Sequence, residues 1–172
     1  MEATYWARFS QGSLGRALSW ATLEIKDDNT YAIKQQLLEK LASLELTDAV
    51  DMAEWMGKAA RTIAGAWTKQ ADDVSTTDIT RRAQKGLIQM VICALNDVMK
   101  LHIGQVEELI NEDQKQCIRA ISGHFDAETA ARHIEMCYQI HRWVDSSVNE
   151  KLIFEQLLLN LSGSDILPQL AD

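Results

Sequence analysis

Apolar residues recur along this chain every third or fourth position, in blocks separated by short polar stretches, the pattern of a string of amphipathic helices. Residues 2–10 (EATYWARFS) predict a short helix ended by Gly12. Ser13 is placed to N-cap a second helix, with Leu14, Leu18, Ala21 and Ile25 at roughly helical spacing. The polar run 26–30 reads as a break or linker, so the best candidate boundary falls near residues 27–29. Beyond it the predicted helices lengthen. Residues 31–45 put Ile33, Leu37, Leu38, Leu41 and Leu44 on one face; Thr47 is a candidate N-cap for a helix reaching about residue 71, with Asp48 and Asp51 in its first turn where the helix dipole favours negative charge.

Residues 72–78, rich in Asp, Ser and Thr, form a polar connection into a long predicted helix over 77–103, closed by Gly104 at a C′ position. A turn is expected at 105–111, then helices at 112–122 (followed by Gly123), 127–146 (capped by Asp126) and 149–161, and a tail marked by Gly163 and Pro168. The pattern predicts an all-α fold: two short helices, then a bundle of five or six. Composition agrees, because eight glycines and one proline in 172 residues leave little punctuation for a many-stranded sheet. A chain of this size buries roughly 70% of its unfolded surface.

Charge narrows the function classes. The net charge of −8 and pI near 5.0 argue against nucleic-acid binding, which rests on basic patches; the nearest candidate is Arg81 and Arg82 with Lys85, on one helical turn. The three cysteines, Cys93, Cys117 and Cys137, are widely spaced and contain no CxxC pair, as expected of reduced, buried thiols in a cytoplasmic protein. No apolar run approaches the ~18 residues that span a bilayer, and no signal-peptide core is present at the N-terminus.

Three segments resemble one family in order. Gly12-Ser-Leu-Gly-Arg-Ala-Leu-Ser-Trp20 resembles the sensor-2 segment that ends the AAA+ lid of bacterial clamp-loader subunits. Residues 94–122, with Leu109-Ile-Asn-Glu-Asp113 inside them, resemble that family's collar, where a long helix leads through an acidic and aliphatic turn into an "I/L-N-x-D" helix start. Residues 148–161 are similar to its final helix. The resemblance implies that residues 1–28 are the end of a lid domain and 29–172 a collar or oligomerisation domain, the whole a piece of a longer subunit. In the ATP-hydrolysing gamma/tau subunits the sensor-2 segment carries an arginine that reaches nucleotide phosphate. Here Gly15 stands at that position and Arg16 follows, about 100° further round the helix. With Gly12 and Ser13 these residues make a degenerate segment of the delta-prime kind, and no GxxxxGK[ST] phosphate loop is present. No cofactor, metal or catalytic residue is implied. The implied function is assembly of the DNA polymerase III clamp loader, with delta and gamma/tau subunits as partners and neither nucleic acid nor membrane contacted directly.

Other residues invite chemistry. His133, Cys137 and His141 share a helix face at i, i+4 and i+8, and His124 or Cys117 could complete a zinc set. The flanking Ile134, Tyr138 and Val144 favour a packed core face instead. Cys93 lies in the most apolar stretch of the long helix, which favours an inert thiol over a nucleophile. Glu107, Glu108, Glu112 and Asp113 could act as paired carboxylates, though caps and dipole partners explain them more simply. Of the five tryptophans (Trp6, Trp20, Trp55, Trp67, Trp143), Trp55 and Trp67 suit either core or partner interface. Exposed apolar faces are expected on the helices at 77–103 and 149–161, with Leu157 and Leu158 as interface residues. The rival function is a stand-alone helical adaptor binding a peptide or small ligand between its helices.

Overall fold

The longest helix is also the best buried, and the others are arranged around it. The computed structural model describes residues 1–25, 28–70, 74–146 and 149–162; the expected tail at Gly163 and Pro168 lies outside the described residues. Eight α-helices occur among them: α1 (Glu2–Phe9), α2 (Leu14–Ala21), α3 (Thr30–Ala42), α4 (Ala49–Gln70), α5 (Thr76–His102), α6 (Lys115–Ser122), α7 (Ala127–Asp145) and α8 (Glu150–Leu161). The fold is all-α. Packing of α4 on α5, α5 on α7, α7 on α8 and α8 on α4 closes a ring of four helices, while α3 and α6 cover another side of α5. On α5, residues from Ile79 to Val98 are buried on every row, including Leu87, Ile88, Met90, Val91, Ile92 and Cys93. A helix apolar nearly all round must be surrounded by protein. The expected exposed apolar face on α5 is therefore absent.

Local chemistry sets most of the boundaries. Ser13, Asn29, Asp126 and Asn149 each accept a backbone N–H at a helix start, from Arg16, Ala32, Thr129 and Lys151. After α1 the backbone turns left-handed through Gln11 and Gly12 (φ 51° and 86°). After α5, Gly104 takes φ 79°. There the Gly104 and Gln105 amides return to the carbonyls of Leu101 and Lys100 at 3.1 and 2.9 Å, a Schellman stop.

Two boundaries differ from expectation. Thr47 does not cap α4; a single 3-10 turn, Leu46–Asp48, precedes that helix, and the Asp48 carboxylate accepts the Glu45 N–H at 3.2 Å. The break before α3 contains a minimal antiparallel ribbon, β1 (Glu24–Ile25) with β2 (Asp28–Asn29). Thr30 fastens it by donating its hydroxyl to the Trp20 carbonyl at 2.6 Å.

Trp20 is the wedge that seats the first two helices. Its ring stacks on Trp6 (centroids 5.6 Å apart), meets Phe9 at 5.5 Å and Trp67 at 4.7 Å, and lies against the backbone of Gly86 on α5. One continuous core takes in Tyr5, Trp6, Phe9 and Trp20 together with the buried faces of α3 to α8. Docking of α8 is completed by Glu150 in its first turn, which accepts from Arg61 of α4 at 2.7 Å and Gln84 of α5 at 2.9 Å.

The turn between α5 and α6 is held by a buried polar network. Asp97, fully buried, accepts the Ile110 N–H at 2.8 Å, the Asn111 N–H at 2.7 Å and the Asn111 side-chain amide at 2.8 Å. Burial pushes its carboxyl pKa up; the three donated bonds pull the other way. Two residues beyond Asn111, Asp113 accepts both contacts of the Lys34 ammonium, at 2.6 and 2.8 Å. Lys34 is also buried, with its Nζ 4.5 Å from the Tyr5 ring centroid and 4.9 Å from that of Tyr31. Arg8 of α1 donates to the Leu109 carbonyl, and Lys100 to that of Glu108 at 2.7 Å.

Two of these contacts can be tested by mutation. A Cβ at Gly86 would fall inside the Trp20 ring, which its aromatic neighbours prevent from retreating. Gly86→Ala should cost roughly 1–3 kcal/mol in urea unfolding, whereas Gly65→Ala, facing open space on α4, should stabilise by roughly 0.5–1 kcal/mol. At the ion pair, Lys34→Met strands the Asp113 charge and should cost about 3–5 kcal/mol, while Lys34→Met combined with Asp113→Leu should cost clearly less than the two single changes added. A double-mutant cycle measures the difference.

Candidate functional site

The sensor-2-like segment begins at the left-handed Gly12 and continues through the Ser13 cap into α2. Only Trp20 of this helix is buried. Leu14 and Leu18, apolar positions at helical spacing, are 73% and 54% exposed, and the aromatic cluster is reached through Trp20 instead. Gly15 and Arg16 are exposed. Arg16 lines a cleft between α2, α5 and α7 that also holds Arg81, Arg82 and Lys85, the cationic turn noted in the sequence. Arg82 is fixed there by donating to the Ser19 hydroxyl and by lying 4.4 Å above the Trp67 ring.

The four candidate interface residues part company. Trp67 is buried, with its indole N–H donated to the Ser19 carbonyl at 3.3 Å, and so belongs to the core. Trp55 is half-buried, under the Lys40 ammonium at 5.5 Å. Leu157 and Leu158 are fully buried. In a helix lying on α4 and α7 those two rows point inward, and the opposite row is the one left exposed. That row carries Leu152, 57% exposed, and Leu159, 38% exposed, seven residues apart with Gln156 between them. Trp143, 42% exposed, and Tyr138, 44% exposed, are further apolar groups facing outward from α7. The i, i+7 spacing of Leu152 and Leu159 was available in the sequence. In a helix that also carries Ile153, Phe154, Leu157, Leu158 and Leu161, nothing local said which row faced the bundle.

The remaining candidates resolve into structural roles. Cys137 is buried and its thiol is pushed up to about 12 by burial; Tyr138, beside it, is exposed rather than core. His133 packs edge-on against Phe125, with centroids 5.1 Å apart, and His124 faces the Ala42 carbonyl at 3.4 Å. No group of three or more His, Cys, Asp or Glu suited to a metal is assembled among the described residues. Cys93 is likewise pushed up to about 12 by burial, which removes the thiolate a nucleophile needs. Of the acidic cluster, Asp113 pairs with Lys34 at 2.6 Å, while Glu112 lies 3.5 Å from Arg8 and 3.9 Å from Lys115. No helix among the described residues is long and apolar enough to cross a membrane.

The helical scaffold thus carries an exposed apolar row on α8 and a cationic cleft between α2, α5 and α7. Comparison with known families matches residues 69–163 to the model described as DNA polymerase III, delta subunit, C terminal. The matched segment runs from the end of α4 through α8, and so contains the Asp97–Asn111–Asp113 network and the outward row of the last helix. No curated protein and no solved structure matches the chain. Since the family model covers more than half of its residues, the chain belongs to the family of C-terminal regions of the DNA polymerase III delta subunit.

Proposed function

We propose that this chain is an assembly module of the DNA polymerase III clamp loader, packing beside the collar helices of delta and gamma/tau in the position of delta-prime. The observation that carries the assembly role is the outward row of α8: Leu152 and Leu159 face solvent inside the family-matched segment. Apolar side chains held on an exposed helix face are what helix-on-helix contact between subunits requires. On this reading residues 1–28 are the end of an AAA+ lid, residues 29–172 are the collar, and the packing of Trp20 on Gly86 is the lid-to-collar contact.

The delta-prime position is supported by Gly15, which stands where ATP-hydrolysing subunits have their sensor-2 arginine. A delta position is the second reading, favoured by the description of the matching family itself. A stand-alone adaptor draws its support from the cleft between α2, α5 and α7.

Native mass spectrometry of the chain mixed with its organism's own loader subunits tests all of these. A defined hetero-complex with gamma/tau is expected, lost in Leu152→Asp/Leu159→Asp, a change on solvent-facing positions that leaves the circular dichroism unaltered. Entry into a complex that already contains delta, with exclusion by authentic delta-prime, marks the delta-prime position; the reverse marks delta. A folded chain that joins none of the loader subunits overturns the assembly role.

A further inference from the structure

The cleft where α2, α5 and α7 meet measures about 560 Å³. Four cationic side chains line it, Arg16 from α2 and Arg81, Arg82 and Lys85 from α5, against two carboxylates, Asp78 and Asp145. The cleft therefore carries an excess of two positive charges, in a chain whose formal total is −8. Both carboxylates are engaged, Asp145 with Lys85 at 2.6 Å and Asp78 with Arg81 at 3.8 Å. No ion pair among the described residues reaches Arg16. The cations also repel one another. Burial and then Arg16 lower the pKa of Arg82. Burial and then Lys85 lower that of His141 on the α7 wall, with Arg16 adding to the effect and Asp145 opposing it. Gathering like charges from two helices destabilises the empty cleft, and an anion entering it relieves the repulsion.

We propose that this cleft binds a phosphate dianion, free or as the monoester of a small ligand. Near pH 7 a phosphate monoester carries about −1.5 to −2, which matches the cleft's excess charge. Guanidinium groups recognise phosphate oxygens through paired N–H donors, and Arg82 is already oriented by Ser19 and Trp67. The volume lies within the range of small-ligand sites, roughly 300–1,000 Å³. A nucleic-acid backbone fits less well: each phosphodiester brings a single charge, and a longer strand must continue past Asp78 and Asp145 over an acidic protein. Phosphate binding is independent of the assembly role, since it concerns α2, α5 and α7 and not the outward row of α8.

The test is titration of the chain with inorganic phosphate, AMP and a short oligothymidylate at fixed ionic strength, followed by calorimetry and by the ring-proton NMR signals of His141. Phosphate or AMP should bind and raise the His141 pKa, a response that a distant or purely structural site does not give. Equal affinity for the two identifies free phosphate as sufficient, and tighter AMP identifies a larger ligand; both support the site. Arg16→Ala/Arg81→Ala should weaken binding by roughly tenfold or more, on the scale of one lost charge-assisted contact, while Lys151→Ala, away from the cleft, should leave it unchanged. The proposal is overturned by oligothymidylate binding more tightly than either phosphate, by equal losses in the Lys151 variant, or by no binding.

Discussion

The rest of the fold depends on one fully buried carboxylate. Asp97 sits near the end of the central helix, and its two oxygens hold the amides of Ile110 and Asn111 and the Asn111 side chain. A charge placed there is costly unless several donors converge on it, so its burial and the shape of the turn determine each other. Once that turn is fixed, Asp113 is presented to Lys34, and the ion pair ties α3 and the aromatic rings of Tyr5 and Tyr31 to the start of α6. The residues Asn111 and Asp113 of the "I/L-N-x-D" start are thus structural: one closes the turn on α5, the other reaches across to α3.

With the apolar rows of α5 enclosed, the exposed apolar row of Leu152 and Leu159 belongs to a peripheral helix. This separates stability from recognition. The inner row of α8, Leu157 and Leu158 among it, holds the bundle together, whereas the outer row, Leu152 and Leu159, contributes nothing to the described core and is free to be buried elsewhere. Such a division allows an assembly surface to change without unfolding the scaffold that carries it.

Helix number, the Ser13 and Asp126 caps and the glycine stop at Gly104 were legible in the sequence because they depend on local chemistry, the φ preference of glycine and the short oxygen-bearing side chains of Ser and Asp. Thr47 misled, since Glu45 and Asp48 offered a competing start two residues earlier. The two-residue ribbon was hidden because pairing so short leaves no alternation to read. The faces of α2 and α8 were legible only as periodicity: Leu14 and Leu18 have the spacing of a core stripe, yet Trp20, a larger group on another row, decided the rotation of the helix by fitting against Gly86. A glycine in mid-helix is a weak sequence signal, and its partner lies 66 residues away by the chain numbering. The cleft was half legible. Arg81, Arg82 and Lys85 stand on one turn, but the contribution of Arg16 requires α2 to be folded against α5.

The same folding changes what net charge means. An overall −8 describes the field felt by a large partner at a distance, where salt screens interactions beyond about 8–10 Å. Inside a cleft walled by Phe9 and Trp20 the distances are shorter and the surrounding medium is less polarisable, so the local excess of cations outweighs acidic groups on remote surfaces. An acidic protein can therefore discourage contact with a long polyanion while retaining one position at which a small anion is attracted. In the segment from Gly12 to Trp20 the one positive charge is Arg16, and the fold brings it into the cleft with three cations of α5.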